Sequence, residues 1–328
     1  MATTDPGLLA PIHADVSDVA EQVIGRTPWQ LFWMRFRQDR AALIALGFVG
    51  FLVVVAFLAP VISRVLVHHG PNELFNKTML DRFGLPKGPT AQFYFGADTS
   101  GRDVFVRTLY GTRTALIVAL FATSIALVIG VTLGMLAGYF RGWTDTAISR
   151  AMDIVLAMPL LVFAIGISAA CSVTKEGCFG GLIKPGLPLV VFIIALFSWS
   201  YIGRIVRGQA LTMRERDFVE AARSIGASHG RIMIREILPN LVAPIVIYAT
   251  LLIPANILFE AYLSFLGLGL PHTIPSWGQM ISSATQNGVE TGWWIFLFPG
   301  LMLVLTTLAF NLLGDGLRDA LDPSSDRM

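Results

Sequence analysis

Few residues of this chain have the types and spacing that reactive chemistry needs. His68 and His69 are adjacent and offer imidazole nitrogens to a metal. Zinc sites use three or four protein ligands, and none stands beside this pair, so it reads as polar residues at a membrane edge. Two cysteines, Cys171 and Cys178, are too few for a metal framework; they suit either a disulfide closing a short loop or two free thiols. The stretch Gly84-Leu85-Pro86-Lys87-Gly88-Pro89-Thr90 approaches a phosphate-binding loop. Its spacing is wrong, and its prolines remove N–H donors that would hold phosphate. Neither a Gly-x-Ser-x-Gly elbow nor a His-Glu-x-x-His pair occurs. No catalytic residue and no metal site is expected, so energy for uphill transport has to come from a partner or an ion gradient. Coupling ions are usually bound by ionisable residues in mid-membrane. Asp153 and Glu260, near the ends of apolar runs, read instead as structural, paired with backbone or a neighbouring helix.

The most suggestive spacing lies in the charged stretch 206–238. It contains Glu220-Ala221-Ala222, then Gly226, and ends on Leu238-Pro239. This predicts a short helix through Arg223, a turn at Gly226 where positive φ is tolerated, a second short helix, and a stop before the next span. Ala221 and Ala222 are small enough for another protein to approach closely, and Glu220 offers it a carboxylate.

These segments have to be positioned by the apolar runs around them. The chain is 54% hydrophobic and 14% charged, too little charge to coat a water-soluble body of 328 residues. Its apolar runs approach the ~20 residues needed to cross ~30 Å of hydrocarbon. Residues 1–28 lack the apolar core of a signal peptide and read as a disordered tail. Trp29, Phe32, Trp33 and Phe36 recur at helical spacing among arginines, which suits an amphipathic helix over 29–40 lying on membrane lipid. Spans are expected at 41–62, 114–139, 148–170, 187–205, 239–263 and 293–313, with a long polar loop at 63–112. A short helix at 101–113 leads into the second span, the membrane core runs over 113–315, and 316–328 form a tail. Gly130, Gly134 and Gly138 fall on one helix face and allow close packing of a second helix.

An even number of spans places both termini on one side. If that side is the cytoplasm, loop 206–238 lies inside with Arg207, Arg214, Arg216, Arg223, Arg231 and Arg235, while the loop between spans five and six carries no Lys or Arg. That is the asymmetry of the positive-inside rule. The first outer loop, with Arg64, Lys77, Arg82, Lys87, Arg102, Arg107 and Arg113, opposes it, but its length is near the limit at which loop charge stops steering insertion. Both cysteines then lie outside, where oxidation is permitted. A net charge of +2 and no basic stripe with interleaved aromatics argue against nucleic acid.

The order Glu220-Ala221-Ala222, Gly226, Leu238-Pro239 resembles the EAA loop of bacterial ABC importer permeases. Glu236 stands where the broad pattern has Ile, with Ile237 one position later. Phe95-Gly96-Ala97-Asp98, Gly101-Arg102-Asp103-Val104, Tyr110-Gly111-Thr112-Arg113, Trp199-Ser200-Tyr201, Arg204, Val206-Arg207-Gly208 and Arg214-Glu215-Arg216-Asp217 are similar to segments of dipeptide, oligopeptide and nickel permeases of the C type. So are Leu263-Ser264-Phe265-Leu266-Gly267-Leu268-Gly269, Pro275-Ser276-Trp277-Gly278 and Asn311-Leu312-Leu313-Gly314-Asp315-Gly316-Leu317-Arg318-Asp319.

That resemblance implies an all-α membrane protein of about six spans, in the type I importer architecture with a cytoplasmic coupling helix. It implies a place in the bacterial inner membrane beside a homologous B-type permease and two ATPase subunits, which bring ATP and Mg. An extracytoplasmic binding protein would deliver di- or oligopeptides. Glu220, Ala221, Ala222, Gly226, Leu238 and Pro239 would couple to the ATPase. Pro275, Ser276, Trp277 and Gly278 would meet the binding protein or act as a gate; otherwise they form a re-entrant turn with an interfacial Trp. Nickel chelates and haem are alternative cargoes, and a self-contained carrier or channel is the rival class.

Overall fold

The computed structural model describes residues 27–172, 177–178, 180–181, 183–286 and 292–321, and these are helical with only isolated β-bridges. The expected 1–28 tail thus lies outside the described residues as far as 26. Thr27 opens α1 (Pro28–Phe36), exchanging bonds with Gln30 in a capping box with proline at the first position. Phe36 packs under Ala42, Ala45, Ala309 and Leu313, while Trp29 stays exposed. Asp39 then caps α2 (Arg40–Ile62) through Ala41 and Ala42. Pro60 does not end this helix. A widened turn, Ser63–Val67, carries the helix on to His68, at φ 61°.

The expected polar loop closes at Asp103, short of 112, and is compact. His69 stacks against Phe75 and Phe93, and its Nδ1 lies 2.8 Å from Asp103 Oδ2. Asp98 accepts from the backbone of Ser100 and Arg102 and from the Arg102 side chain, with Arg107 3.7 Å away. A one-turn helix α3 (Asn76–Met79) is the only helix in it.

From Asp103, which caps it, α4 (Val104–Phe140) runs 37 residues without a break, about 55 Å. The expected separate helix at 101–113 is its first turns. The expected third span is two helices, α5 (Gly142–Ala157) and α6 (Leu160–Ser172), bent by 87°. Pro159 forces Met158 into extended backbone, ψ 132°. α7 (Leu187–Met213) returns along α4. The loop helix α8 (Asp217–Ser224) and the short α9 (His229–Arg231) follow. No stop occurs at Pro239, because the widened turn Ile232–Ile237 runs directly into α10 (Leu238–Phe265). Residues 229–265 are one continuous helical span. A short buried helix, α11 (Trp277–Gln286), lies where only a loop is expected. The final helix α12 (Trp293–Leu321) extends through most of the expected tail, whose residues 322–328 lie outside the described set.

Among the described residues five helices are long and apolar enough to cross a membrane, or six spans when the bent pair is counted as one. Gly316 meets Ala42 and Asp39 at one end of the bundle, and the loop carrying α8 packs on Tyr139 at that same end. At the opposite end, Trp294 Nε1 donates to the Ala97 carbonyl (2.9 Å).

Candidate functional site

α8 begins with Asp217 and Glu220 in its first turn and ends with Arg223 in its last, matching both ends of the helix dipole. Its inner face is Val219 and Ala222, buried with Met135, Tyr139, Val206, Ile232 and Ile237. Its outer face carries Phe218, Ala221 and Ile225 at i, i+3 and i+7, and Ile225 is 81% exposed. The two alanines therefore part company: Ala221 is open to a partner, whereas Ala222 packs inside its own chain. Glu220 borders the open face. Gly226, at φ 78°, ends the helix. Its N–H donates to the Arg223 carbonyl (2.9 Å) and that of Ala227 to Ala222 (3.0 Å), a Schellman motif. Leu238 packs at the edge of the same core and Pro239 is exposed.

Tyr139 fastens this loop to the end of α4. Its hydroxyl meets His229 Nδ1 at 2.8 Å, and its carbonyl accepts from Arg214 Nη1 (2.7 Å). The Arg223 and Arg214 guanidiniums lie 5.6 and 5.9 Å from its ring centre, within cation–π range. Arg141 adds a 2.6 Å ion pair to Glu215. Sequence spacing does not point to Tyr139, since its partners lie 75 and 90 residues away.

The glycine stripe faces α7. A methyl at Gly130 would lie 2.7 Å from the Trp199 carbonyl oxygen, at Gly134 2.5 Å from that of Gly203, and at Gly138 2.7 Å from that of Arg207. Backbones this close leave no room for a side chain.

Pro275, Ser276, Trp277 and Gly278 are buried within this chain. Trp277 is 1% exposed and donates Nε1–H to the Thr108 carbonyl (3.1 Å). Gly111 makes space for its ring, and a methyl there would lie 2.6 Å from Trp277 Cδ1. Ser276 and Ser264 donate to Glu260 Oε1 at 2.9 and 2.8 Å, and a side chain at Gly278 would collide with the Ala261 carbonyl. These residues anchor α11 between α4 and α10. Arg102 and Arg107 donate to the His272 carbonyl and Asn72 to that of Thr273, clamping the preceding turn against the 68–103 segment. Cys171 and Cys178 form a disulfide with Cα atoms 4.8 Å apart, which closes the start of the α6–α7 connection.

Two family models match the chain. One describes the binding-protein-dependent transport system inner membrane component, over residues 130–327. The other describes the N-terminal TM domain of oligopeptide transport permease C, over 27–80. Among curated relatives, the glutathione transport system permease protein GsiD of Pectobacterium atrosepticum is 40% identical over 298 residues, 91% of this chain and 92% of that protein. The dipeptide transport system permease protein DppC of Alkalihalophilus pseudofirmus is 37% identical over 304 residues, 92% of each chain. A solved inward-facing MetNI methionine ABC transporter has a similar fold, with TM-score 0.55 and 18% identity over 66% of this chain and 97% of that one. The chain belongs to the inner-membrane permeases of binding-protein-dependent ABC transporters, in the oligopeptide permease C line, and is a non-catalytic, multi-pass subunit of such an importer.

Proposed function

We propose that this chain and a homologous B-type permease enclose one path for di- or oligopeptides, glutathione among them, delivered by a solute-binding protein. Two partner ATPases supply the energy, one docked on α8. The observation that carries this reading is the outer face of α8, where Phe218, Ala221 and Ile225 stand exposed beside Glu220 on a helix whose other face is locked into the chain's own core. A rigid, half-apolar knob with nothing covering it suits a groove on another protein. Closure of the ATPases around ATP would draw the docked loops together and bias the permease pair toward an outward-open state. The peptide cargo is supported by the dipeptide and glutathione systems named for its relatives.

Both ends of the described chain and α8 share one end of the bundle, and we assign that end to the cytoplasm. The opposing basic residues of the other end are partly held by protein groups. Asp98 pairs with Arg102 and Lys87 donates to the Thr78 carbonyl, which lessens their weight as topological signals.

Affinity purification of the tagged chain from native membranes in mild detergent tests the assembly. Recovery of a second permease and ATPases bearing Walker motifs is expected. A homo-oligomer that transports in proteoliposomes without ATP would replace this reading with a self-contained carrier.

A further inference from the structure

α5 and α7 set opposite charges against each other near the end of the expected span 187–205. Arg204 Nη2 lies 2.8 Å from Asp153 Oδ1, and both side chains are about half exposed, 56% and 52%. Arg204 stands nine residues inside the end of α7 at Met213, about 14 Å along the helix. One turn further along, Arg207 grips Asp145 with both Nε and Nη2. Half-exposed charges at a span end do not face hydrocarbon; they face water, lipid headgroups or a neighbouring protein.

Two hollows follow one another along the surface between these helices. A cavity of about 410 Å³ is lined by the two ion pairs with Ser149 and Arg150. Beyond it, along the next turns of α7, a second cavity of about 360 Å³ is lined mainly by apolar groups, among them Phe197, Met158 and Phe259, with Tyr201 at its edge. The 87° bend at Met158 and Pro159 shapes this second cavity by turning α6 away from the line of α5. In its wall, Ser198 donates to Asn256, whose amide donates to Thr123, so the buried polar groups there are satisfied within the chain. The lining is apolar at one end and bipolar at the other. The opposite side of α7, including Ile202, Gly203 and Val206, is packed against α4 and α5, leaving Tyr201 and Arg204 on the open face.

We propose that this face is the chain's contribution to the peptide path, and that Asp153 and Arg204 receive the ammonium and carboxylate of a zwitterionic peptide while the apolar cavity takes its side chains. The inference rests on the peptide-importer reading above. The charges are complementary to the two ends of a free peptide. Because the pair is half exposed, it holds itself together weakly, so each member is available for exchange with a passing charge. Tight binding would stall transport; a loose, wet ion pair meets the opposite requirement.

The test uses the complete transporter, with its binding protein, in proteoliposomes supplied with tritiated dialanine or glutathione, whichever the wild type takes up. Asp153→Asn and Arg204→Gln are expected to lower uptake at least tenfold, with ATP hydrolysis stimulated by the loaded binding protein kept within twofold. The exchanged pair, Asp153→Arg with Arg204→Asp, restores the ion pair but reverses its polarity, and is expected not to recover uptake. Recovery in the exchanged pair would reduce these residues to a tie between α5 and α7 and overturn the proposal. Normal uptake in both single variants would also overturn it and give this face to the partner permease. A second measurement does not depend on turnover. Both native cysteines are in the disulfide, so Tyr201→Cys introduces a single thiol. Labelling by a membrane-impermeant methanethiosulfonate, slowed by the imported peptide, is expected; no labelling in the assembled transporter would place the face against lipid or protein and overturn the proposal. Failure of the wild type to take up either probe would sink the peptide-importer reading itself, and this inference with it.

Discussion

The Tyr139 hydroxyl and His229 Nδ1 meet at 2.8 Å across 90 residues of sequence, joining the end of a membrane-spanning helix to the first residue of α9, where the helix that runs on into α10 begins. Tyr139→Phe keeps the ring under Arg214 and Arg223 and removes only this bond, a loss of about 1 kcal/mol. Peptide uptake is expected to fall a few-fold, with faster tryptic cleavage within 223–235. Tyr139→Ala removes the ring as well and is expected to abolish uptake; normal uptake in Tyr139→Ala would show that this attachment is dispensable.

Ala221 and Ala222 are neighbours that point to different environments. Ala221→Asp is expected to leave the yield and thermal stability of the isolated chain unchanged and to eliminate copurification of the ATPase. Ala222→Asp places a carboxylate in the core beside Met135 and Tyr139, where an unpaired charge is strongly disfavoured, and is expected to cut the yield of folded chain. Equal behaviour of the two variants in both assays would contradict the assignment of faces.

Gly134→Leu sets a side chain against the backbone of α7, with Cβ 2.5 Å from the Gly203 oxygen. Overpacking of this kind costs about 1–3 kcal/mol, read as a lower melting temperature in detergent. Gly47→Leu is the control, because nothing lies within 4 Å of a methyl there, and it is expected to melt as the wild type does.

Cys171 and Cys178 are seven residues apart, and closing so short a loop is worth about 2.5 kcal/mol in the chain-entropy account. Dithiothreitol is expected to lower the melting temperature of the wild type and not that of Cys171→Ser/Cys178→Ser. An equal effect on both proteins would show that the bond is absent from the native chain.

Much of this was legible in the sequence where the signal is local. Gly226 marks the turn after α8 because positive φ is cheap only for glycine, and the four-residue spacing of Gly130, Gly134 and Gly138 marks the face that meets α7. The bend at Pro159 was written in the chain, but hydropathy averaged over a span reads α5 and α6 as one apolar run. Trp277 looked interfacial because polar residues flank it. Its burial depends on space left by Gly111 and a bond to Thr108, 169 residues away, which no local pattern contains. Leu238-Pro239 marks a stop by pattern, yet the widened turn Ile232–Ile237 before it runs straight into α10.

The unbroken length of α4 makes it a lever. One end is held at Tyr139 by the loop that carries α8, and near the other end Gly111 lies against Trp277. Over about 55 Å, a tilt of about 5° pivoting at one end carries the other through about 5 Å, roughly the width of an extended peptide chain. In the proposed coupling, such a tilt imposed at α8 would shift Gly111, 28 residues from Tyr139, by about 4 Å against Trp277 of α11.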